Sequence, residues 1–412
     1  MKKLYNFSVA MALLILCAIS VKAQNPDVYV GGILNIQAAI WENEVPRTID
    51  GSEVNTIVTV GEDFYIAGLD KDYSPVVWKN DELLYSLNEG DYNYFGRSVS
   101  SMIVHEGDVY VTTIDLISSG FIGRLWVNGV VVEGYEDAIE LYAVVIDGDD
   151  IYVAGRTNEL AVIWKNAEPL YTYDSPYTGL FADVKVVDGD VYYVGGDFGG
   201  GAGKNATIKS KDDVIVNQDN NRNSINVWKN GEVIYTLANE VYGAKIVVSD
   251  GNVYACGQIP NGGVYKAVVW INGEMNIITD VWSGAHGLCV YNNDLYVTGF
   301  MGNDPELDAF IWKNGELSTL TSPGYDMGYC ILVMGDNTSV EEINDYCNIY
   351  PNPADDYVLI EGVEFEKAVL YNSLGQLVLT TTSNRIDVSS LESGLYLLKL
   401  DDNITRNIIV KH

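Results

Sequence analysis

A five-residue motif, WKNGE at residues 312–316, is the best copy of a pattern that recurs seven times along the chain. Each copy follows a run such as DLYVTG (residues 294–299), and successive copies are about 40 residues apart. The repeat tryptophans are Trp41, Trp78, Trp126, Trp164, Trp228, Trp270 and Trp312. Such a period indicates one supersecondary unit repeated in series, and this constrains the fold more than any other feature.

Each repeat predicts four short β-strands. Examples of the strand sequences are AVVID (residues 143–147), AVIWKN (residues 161–166) and EVIYTL (residues 232–237), which are rich in β-branched and aromatic residues. Asp-Gly and Asn-Gly join successive strands, as in VDGD and KNGE, and such pairs favour the tight hairpin in which both central residues have positive φ. Four antiparallel strands at this period predict a β-propeller.

The phase of the repeats predicts how the ring closes. The repeats begin at Asp27 on a second strand and end at Gly335 on a first strand, so one unit is split between the two ends. Pairing of residues 330–334 with residues 28–32 would leave no exposed edge. We therefore predict an all-β fold: a seven-bladed β-propeller closed by pairing of its N- and C-terminal strands, followed by a small C-terminal β-sandwich. Extra residues in the fifth unit predict a projecting hairpin at 207–217.

The N-terminus and the charge indicate where the protein acts. Residues 1–23 have Lys2 and Lys3 near the start, then an apolar run and a small residue at Ala23, which predicts a secretory signal peptide. No later run is long enough for a transmembrane helix. The formal net charge is −33, which excludes nucleic acid and anionic lipid as partners. The remaining cysteines lack the paired CxxC spacing of a metal site, and we expect them to be buried small residues: Cys256, Cys289, Cys330 and Cys347.

The last part of the chain differs in composition. It contains IYPNPADDYVLI (residues 349–360), VLYNSLGQLV (residues 369–378) and IDVSSLESGLYLLKL (residues 386–400). Alternating strands and turns predict a β-sandwich of roughly seven strands. In these motifs the segment resembles the type A C-terminal sorting domain of the type IX secretion system.

The resemblance implies a destination. It implies export across the outer membrane by the type IX secretion machinery, removal of the domain, and release or attachment to surface lipopolysaccharide. The residues that match the sorting motif are Pro351, Asn352, Pro353, Gly375, Gly394 and Tyr396. The predicted domains are a propeller at 24–338, a linker at 339–347 and a sorting domain at 348–412, in a secreted or cell-surface protein.

Candidate binding residues lie where the repeats differ. The repeat tryptophans sit in apolar strands of every unit, so we expect them in the core between blades. The loops that enter the first strands instead carry aromatic residues among small polar ones, and exposed rings of this kind bind sugar faces or protein partners. The sequence therefore predicts a glycan- or protein-binding face formed by Tyr92, Tyr94, Phe95, Tyr177, Trp282, His286, Tyr325 and Tyr329.

Two other functions stay open at this stage. A polysaccharide hydrolase or lyase could use carboxylates at the channel mouth, and Asp183 and Glu140 are candidates, although no catalytic pair can be placed. A structural surface component needs no site. Only His105, His286 and His412 are present, so no histidine metal cluster and no cofactor are predicted. Calcium at residues 69–73 or 303–308 is left open.

Overall fold

The computed structural model describes residues 26–88, 94–174, 178–198, 207–210, 214–216, 224–239, 241–303, 306–320, 324–335, 348–350, 354–361, 365, 367–372, 376–391, 393–401 and 404–412. Every regular element among them is a β-strand. In this part of the chain no helix is long and apolar enough to cross a membrane. Contacts divide the chain into two compact units, Met1–Asp336 and Asn337–His412.

The strands of the first unit are β1 (Asp27–Leu34), β2 (Gln37–Glu42), β3 (Val45–Thr48), β4 (Glu53–Val60), β5 (Asp63–Leu69), β6 (Pro75–Lys79), β7 (Glu82–Ser86), β8 (Tyr94–His105), β9 (Asp108–Ile117), β10 (Gly120–Val127), β11 (Val130–Val131), β12 (Ala138–Asp147), β13 (Asp150–Thr157), β14 (Leu160–Lys165), β15 (Glu168–Asp174), β16 (Thr178–Val187), β17 (Asp190–Phe198), β18 (Thr207–Ser210), β19 (Val214–Val216), β20 (Ser224–Lys229), β21 (Glu232–Asn239), β22 (Tyr242–Ser249), β23 (Asn252–Asn261), β24 (Val264–Ile271), β25 (Glu274–Ile277), β26 (Ser283–Tyr291), β27 (Asp294–Asn303), β28 (Glu306–Lys313), β29 (Glu316–Thr319) and β30 (Met327–Met334).

These strands form antiparallel sheets of four strands, one of which is extended. In order from first to fourth strand they are sheet 1 (β30-β1-β2-β3), sheet 2 (β4-β5-β6-β7), sheet 3 (β8-β9-β10-β11), sheet 4 (β12-β13-β14-β15, extended by β18-β19), sheet 5 (β16-β17-β20-β21), sheet 6 (β22-β23-β24-β25) and sheet 7 (β26-β27-β28-β29). Sheet 1 contains both the first and the last strand of the unit, with Val28 opposite Val333 and Val30 opposite Ile331. Each first strand contacts the first strands of the preceding and following sheets, and β30 contacts both β26 and β4.

Hydrophobic clusters join each sheet to its neighbours. The repeat tryptophan on the third strand of each sheet packs in a cluster with residues of the preceding sheet; Trp78 of sheet 2, for example, packs with Ala38 and Ile40 of sheet 1. Trp41 of sheet 1 packs with Ala309 and Ile311 of sheet 7. All seven repeat tryptophans are at most 9% exposed, which confirms their predicted place in the core. Truncating a buried tryptophan to alanine typically costs about 3–5 kcal/mol.

The WKNGE motif has a structural role at the turn between the third and fourth strands. Asn314 has φ 47° and Gly315 has φ 103°, as a tight two-residue hairpin requires. The Asn314 side chain accepts a hydrogen bond from the Leu295 N–H (2.9 Å) and donates one to Asp294 (2.7 Å). Lys313 pairs with the same aspartate (2.7 Å), and its ammonium lies 4.9 Å from the Tyr296 ring centre. The motif thus connects the turn to the start of the second strand.

The insertion in the fifth unit forms a hairpin, as its sequence predicts. Strands β18 and β19 pair with each other, and β18 also pairs with β15, the fourth strand of sheet 4. The insertion of one unit therefore extends the outer edge of the preceding sheet. Covering an edge strand in this way removes unpaired backbone groups that would otherwise be open to other chains.

The second unit is a separate β domain. Its strands are β31 (Asn348–Tyr350), β32 (Tyr357–Glu361), β33 (Ala368–Asn372), β34 (Leu377–Thr381), β35 (Arg385–Asp387), β36 (Gly394–Leu400) and β37 (Ile404–Val410). They form a sheet β31-β32-β35 and a sheet β34-β33-β36-β37, and one cluster draws on both, including Val358, Ile386 and Leu398. The last residue is fixed, because His412 Nδ1 lies 2.8 Å from an Asp355 oxygen and its N–H donates to Ser393 (3.1 Å).

Candidate functional site

Each first strand contains a β-bulge at the same position. In sheet 7, Ala285 lies opposite Gly299 and Gly287 opposite Thr298, so His286 is the extra residue. The corresponding bulge residues of sheets 1 to 6 are Tyr329, Asn55, Ser100, Tyr142, Ala182 and Ala244. Each bulge lies towards the end of the sheet where the first strand begins and the second ends, which we call the loop end. Bulges re-aim side chains and are frequent beside active sites.

A glycine on the second strand lies opposite the bulge in six of the seven sheets. A Cβ atom on Gly299 would lie 1.8 Å from the Gly284 carbonyl oxygen, and one on Gly155 would lie 2.2 Å from the Glu140 carbonyl oxygen. No side chain fits at these distances, so the backbone of sheets 4 and 7 requires glycine at this position. The glycine is the fifth residue of the VYVAG-type motif; in sheet 3 the position is taken by Thr113.

Two bulges bring aromatic rings together at the junction of sheets 7 and 1. The His286 and Tyr329 rings stack, with centres 5.4 Å apart and planes at 24°. Phe300, on β27, lies against His286 at 5.3 Å and against Trp282 at 5.4 Å. We call these four rings the aromatic cluster. Offset and edge-to-face contacts at such separations are favourable, by about 0.5–1.5 kcal/mol per pair.

The aromatic cluster is electrically neutral. Burial lowers the pKa of His286 to about 4, although the Gly328 carbonyl oxygen, 3.2 Å from Nδ1, favours the protonated ring. Burial also raises the pKa of Tyr329, and the nearby Glu53 carboxylate adds to this shift. Burial raises the pKa of Glu53 as well, while an Asn55 amide donor, 3.1 Å away, opposes the shift. At neutral pH both stacked rings are therefore uncharged, and such rings suit an apolar or sugar face.

Three other predicted residues lie elsewhere on the loop end or have no described side chain. Tyr325 is 39% exposed, and its segment is fixed by a hydrogen bond from the Leu307 N–H to Gly324 (2.8 Å). Phe95 is 70% exposed in β8 and belongs to a different sheet from the aromatic cluster. Tyr94 lies in the same strand, without a described side chain. Tyr92 and Tyr177 lie outside the described residues. The structure thus brings together Trp282, His286 and Tyr329.

Residues of sheet 6 extend this surface, and the sequence did not single them out. Tyr242 and Tyr265 make an edge-to-face pair (5.3 Å) and are 41% and 37% exposed. The Gln258 Oε1 atom is buried without a hydrogen-bond partner among the described residues. A Cβ on Gly284 would lie 2.4 Å from that atom and 2.7 Å from Phe300 Cε1, so this glycine leaves room for both side chains. The glycine of each VYVAG-type motif was the signal that could have located the bulges.

The carboxylates proposed for catalysis are engaged in ion pairs. Glu140 pairs with Arg156 and accepts a hydrogen bond from the Tyr142 hydroxyl (2.8 Å). Asp183 lies 3.0 Å from the Lys185 ammonium and accepts a hydrogen bond from the Ile246 N–H (3.0 Å). Burial alone would raise the pKa of Asp183, yet its lysine neighbours and this N–H hold the pKa below its ordinary value. A glycosidase acid needs the opposite shift, so Asp183 is not placed to donate a proton.

Metal ligation has no support in the described part of the chain. It contains no group of three His, Cys, Asp or Glu side chains that could hold a metal ion. In the first segment considered for calcium, Asp70 Oδ1 accepts the N–H groups of Asp72 and Ser74, both at 2.9 Å. The second segment, 303–308, is only partly described. Cys256, Cys289 and Cys330 are free thiols, and Cys347 lies outside the described residues.

The sorting-motif residues are only partly described. Gly394 begins β36, where it pairs with Val410, and Tyr396 is 8% exposed in the core of the second unit. Pro351, Asn352, Pro353 and Gly375 lie outside the described residues. Residues 348–411 match the family model for the secretion system C-terminal sorting domain. This segment is therefore a type IX secretion sorting domain, and the protein is exported to the cell surface.

Comparisons of the whole chain are more distant. No curated protein matches the sequence. Among solved structures, the chain is similar to the WD40 β-propeller domain of Doa1, with 15% identity and a TM-score of 0.41 over 74% of this chain and 94% of that one. It is also similar to TolB from Acinetobacter baumannii, with 9% identity and a TM-score of 0.34 over 74% of this chain and 66% of that one. A third similar structure is that of a GH43_12 protein from a capybara gut metagenome, with 9% identity and a TM-score of 0.30 over 94% of this chain and 95% of that one.

Proposed function

We propose that residues 24–338 form a closed seven-bladed β-propeller that binds a glycan or a protein at its loop end. Sheets 1 to 7 are the blades, residues 1–23 are a signal peptide, and residues 339–347 link the ring to the sorting domain at 348–412. Two observations support closure of the ring: β1 pairs with β30, and the first strands contact one another in a cycle. Closure by pairing leaves no open edge.

The aromatic cluster carries the proposal of binding. Trp282 is partly exposed, and its ring rests edge-on against Phe300, which also contacts His286. A ring held in one orientation loses little conformational entropy when a ligand stacks on it, and this favours affinity. Tyr325, 39% exposed, adds a second ring on the segment that leads to Tyr329. The carboxylates Glu140 and Asp183 are ion-paired, so binding without turnover is the function these side chains support best.

The test is a binding screen of the secreted chain, residues 24–412, against immobilised polysaccharides and extracellular proteins, with soluble product assayed in the same wells. We expect saturable binding without product, and loss of that binding in Trp282→Ala and Tyr325→Ala. Leu83→Ala is the matched control, because Leu83 is 60% exposed on the fourth strand of sheet 2. Product release would indicate a hydrolase or lyase. If both aromatic variants bind as the parent does, the proposal is wrong and a structural role is favoured.

A further inference from the structure

Two first-strand side chains reach the neighbouring sheet from the position directly after the bulge. In sheet 5, Asp183 at this position accepts a hydrogen bond from the N–H of Ile246 in sheet 6. In sheet 3, Ser101 accepts one, at 3.4 Å, from the N–H of Val144 in sheet 4. The donor in both cases is the second residue after the bulge of the next sheet. A side-chain oxygen after one bulge thus satisfies a backbone donor after the next.

Sheets 4 and 7 have Ala143 and Gly287 at this position and so offer no side-chain acceptor, and sheet 6 differs in another way. Its residue after the bulge is Lys245, which donates hydrogen bonds and cannot accept them. The corresponding donor of sheet 7 is the N–H of Leu288. Among the described residues, no side chain accepts a hydrogen bond from this N–H. The Lys245 ammonium makes no hydrogen bond and no ion pair within 4.0 Å there, although its charge helps to lower the pKa of Asp183. An ammonium and a backbone donor therefore occur where the junction of sheets 3 and 4 and the junction of sheets 5 and 6 have a side-chain acceptor and a backbone donor.

Lys245 also differs from the other cations on the first strands. Arg97 pairs with Asp115 at 2.8 Å, and Lys185 pairs with Asp183. Lys245 lies between Asp183 of sheet 5 and His286 of sheet 7, because β22 contacts both β16 and β26. Gly243, two residues earlier, borders His286, since a Cβ there would lie 3.9 Å from that ring, at van der Waals distance. The cation is thus next to the aromatic cluster.

Resting on the proposed function, we propose that Lys245 and the Leu288 N–H bind a carboxylate of the ligand, and that the ligand is an acidic glycan built from uronic acids. Asp183 is the internal template: besides the N–H of its neighbour Val184 (2.9 Å), its carboxylate accepts hydrogen bonds from the Ile246 N–H and the Lys185 ammonium, each at 3.0 Å. A ligand carboxylate would receive the same two donors in the next junction. Charge-assisted hydrogen bonds of this kind are the strong ones.

The aromatic cluster decides between an acidic glycan and an acidic peptide. A uronic acid carries its carboxylate directly on a ring whose C–H face stacks on aromatic side chains. In this site the cation and the stacked rings of His286 and Tyr329 are adjacent, so one sugar unit satisfies both. An acidic peptide has its carboxylate on a flexible chain and no such face. The formal net charge of −33 opposes non-specific attraction of a polyanion, so saturable binding would report a specific site.

The experiment compares acid and ester forms of the same sugar. Oligomers of galacturonic acid and of mannuronic acid, each beside its methyl ester, are titrated into the secreted chain by calorimetry. The ester keeps the ring faces and removes the charge. We expect at least one acid oligomer to bind about 10-fold or more tightly than its ester, and Lys245→Met to abolish this difference.

Two further variants keep the result interpretable. Lys245→Ser introduces the side chain that sheet 3 has at this position, so it is compatible with the fold, and it should lose the acid preference as Lys245→Met does. Lys266→Met is the matched control, since Lys266 lies on the third strand of the same sheet and pairs with exposed Asp280. It should retain the preference.

Other outcomes overturn the inference in separable ways. Equal affinity for acid and ester, lost in Trp282→Ala, would reject the carboxylate site and leave the proposed function intact. Binding of acidic peptides with no binding of either acid oligomer would reject the glycan class. An acid preference that survives Lys245→Met would place the anion elsewhere. If no oligomer binds and Trp282→Ala also changes nothing in the wider screen, both proposals are wrong.

Discussion

His286 and Tyr329 stack ring against ring, 5.4 Å apart, although they lie on the first strands of two different sheets. Both are bulge residues, and each bulge adds one residue that does not follow the alternation of the strand. The His286 ring is further oriented by its contact with the Gly328 carbonyl oxygen, 3.2 Å away, on the strand of Tyr329. The stack therefore joins sheet 7 to sheet 1 at the loop end.

This arrangement predicts a specific dependence of stability on pH. The pKa of His286 is lowered from 6.5 to about 4 in the folded protein, mainly by burial. As pH falls below 6.5, the unfolded chain binds a proton before the folded one, so the free energy of unfolding declines. The decline ends near pH 4, where the folded protein is protonated too. The histidine accounts for at most about 3 kcal/mol of it.

The variant His286→Gln should remove this component, because glutamine can still donate to the Gly328 carbonyl but does not titrate. Guanidinium unfolding of parent and variant at about pH 7 and about pH 4.5 measures it. Carboxylates also titrate in this range, and the difference between the two proteins cancels their effect. An equal loss of stability in both would mean that His286 is not neutral in the folded state.

The glycines opposite the bulges predict a steric effect. In Gly299→Ala, the new Cβ would lie 1.8 Å from the Gly284 carbonyl oxygen and 3.0 Å from Ala285 Cα, both of them backbone atoms. The bulge that places His286 must then move, and we expect a loss of about 3 kcal/mol together with weaker ligand binding. Chemical denaturation measures the first effect.

A matched control for this variant is Gly96→Ala. A Cβ at this position meets only Leu116 Cβ, at 4.0 Å, so stability should change by less than about 0.5 kcal/mol. Similar losses in the two variants would show that the bulge has no steric requirement for glycine.

The sequence was informative about strands and less so about the site. Repeated tryptophans and Asn-Gly turns predicted the four-stranded units and the buried position of residues such as Trp228, because both signals arise from local backbone and burial preferences. The bulges were missed since their residues range from Ala182 to Tyr329, and only the glycine on the opposite strand is regular. Lys245 was missed because its neighbours come from other repeats.

The turn motif predicts two separable contributions to stability. Asn314→Ala loses the side-chain hydrogen bonds to Leu295 and Asp294 and puts a Cβ at φ 47°. Asn314→Gly loses only the hydrogen bonds. We expect the alanine variant to be less stable than the glycine variant by about 1 kcal/mol, and both to be less stable than the parent. Thermal or chemical unfolding gives the order, and a glycine variant no more stable than the alanine variant would contradict it.

The sorting domain predicts where a shortened protein accumulates. Deletion of residues 348–412 removes the segment that matches the sorting family, so the chain should cross the inner membrane and remain in the periplasm. Fractionation of cells with antibody detection measures where the protein accumulates. Trp282→Ala is the control, because it alters the first unit and leaves the sorting domain intact. Undiminished surface display of the deletion protein would show that another part of the chain carries the export signal.

Truncation of Tyr396, which is 8% exposed in the core of the second unit, should lower display in a graded way, because a destabilised sorting domain is present in its folded form for less of the time.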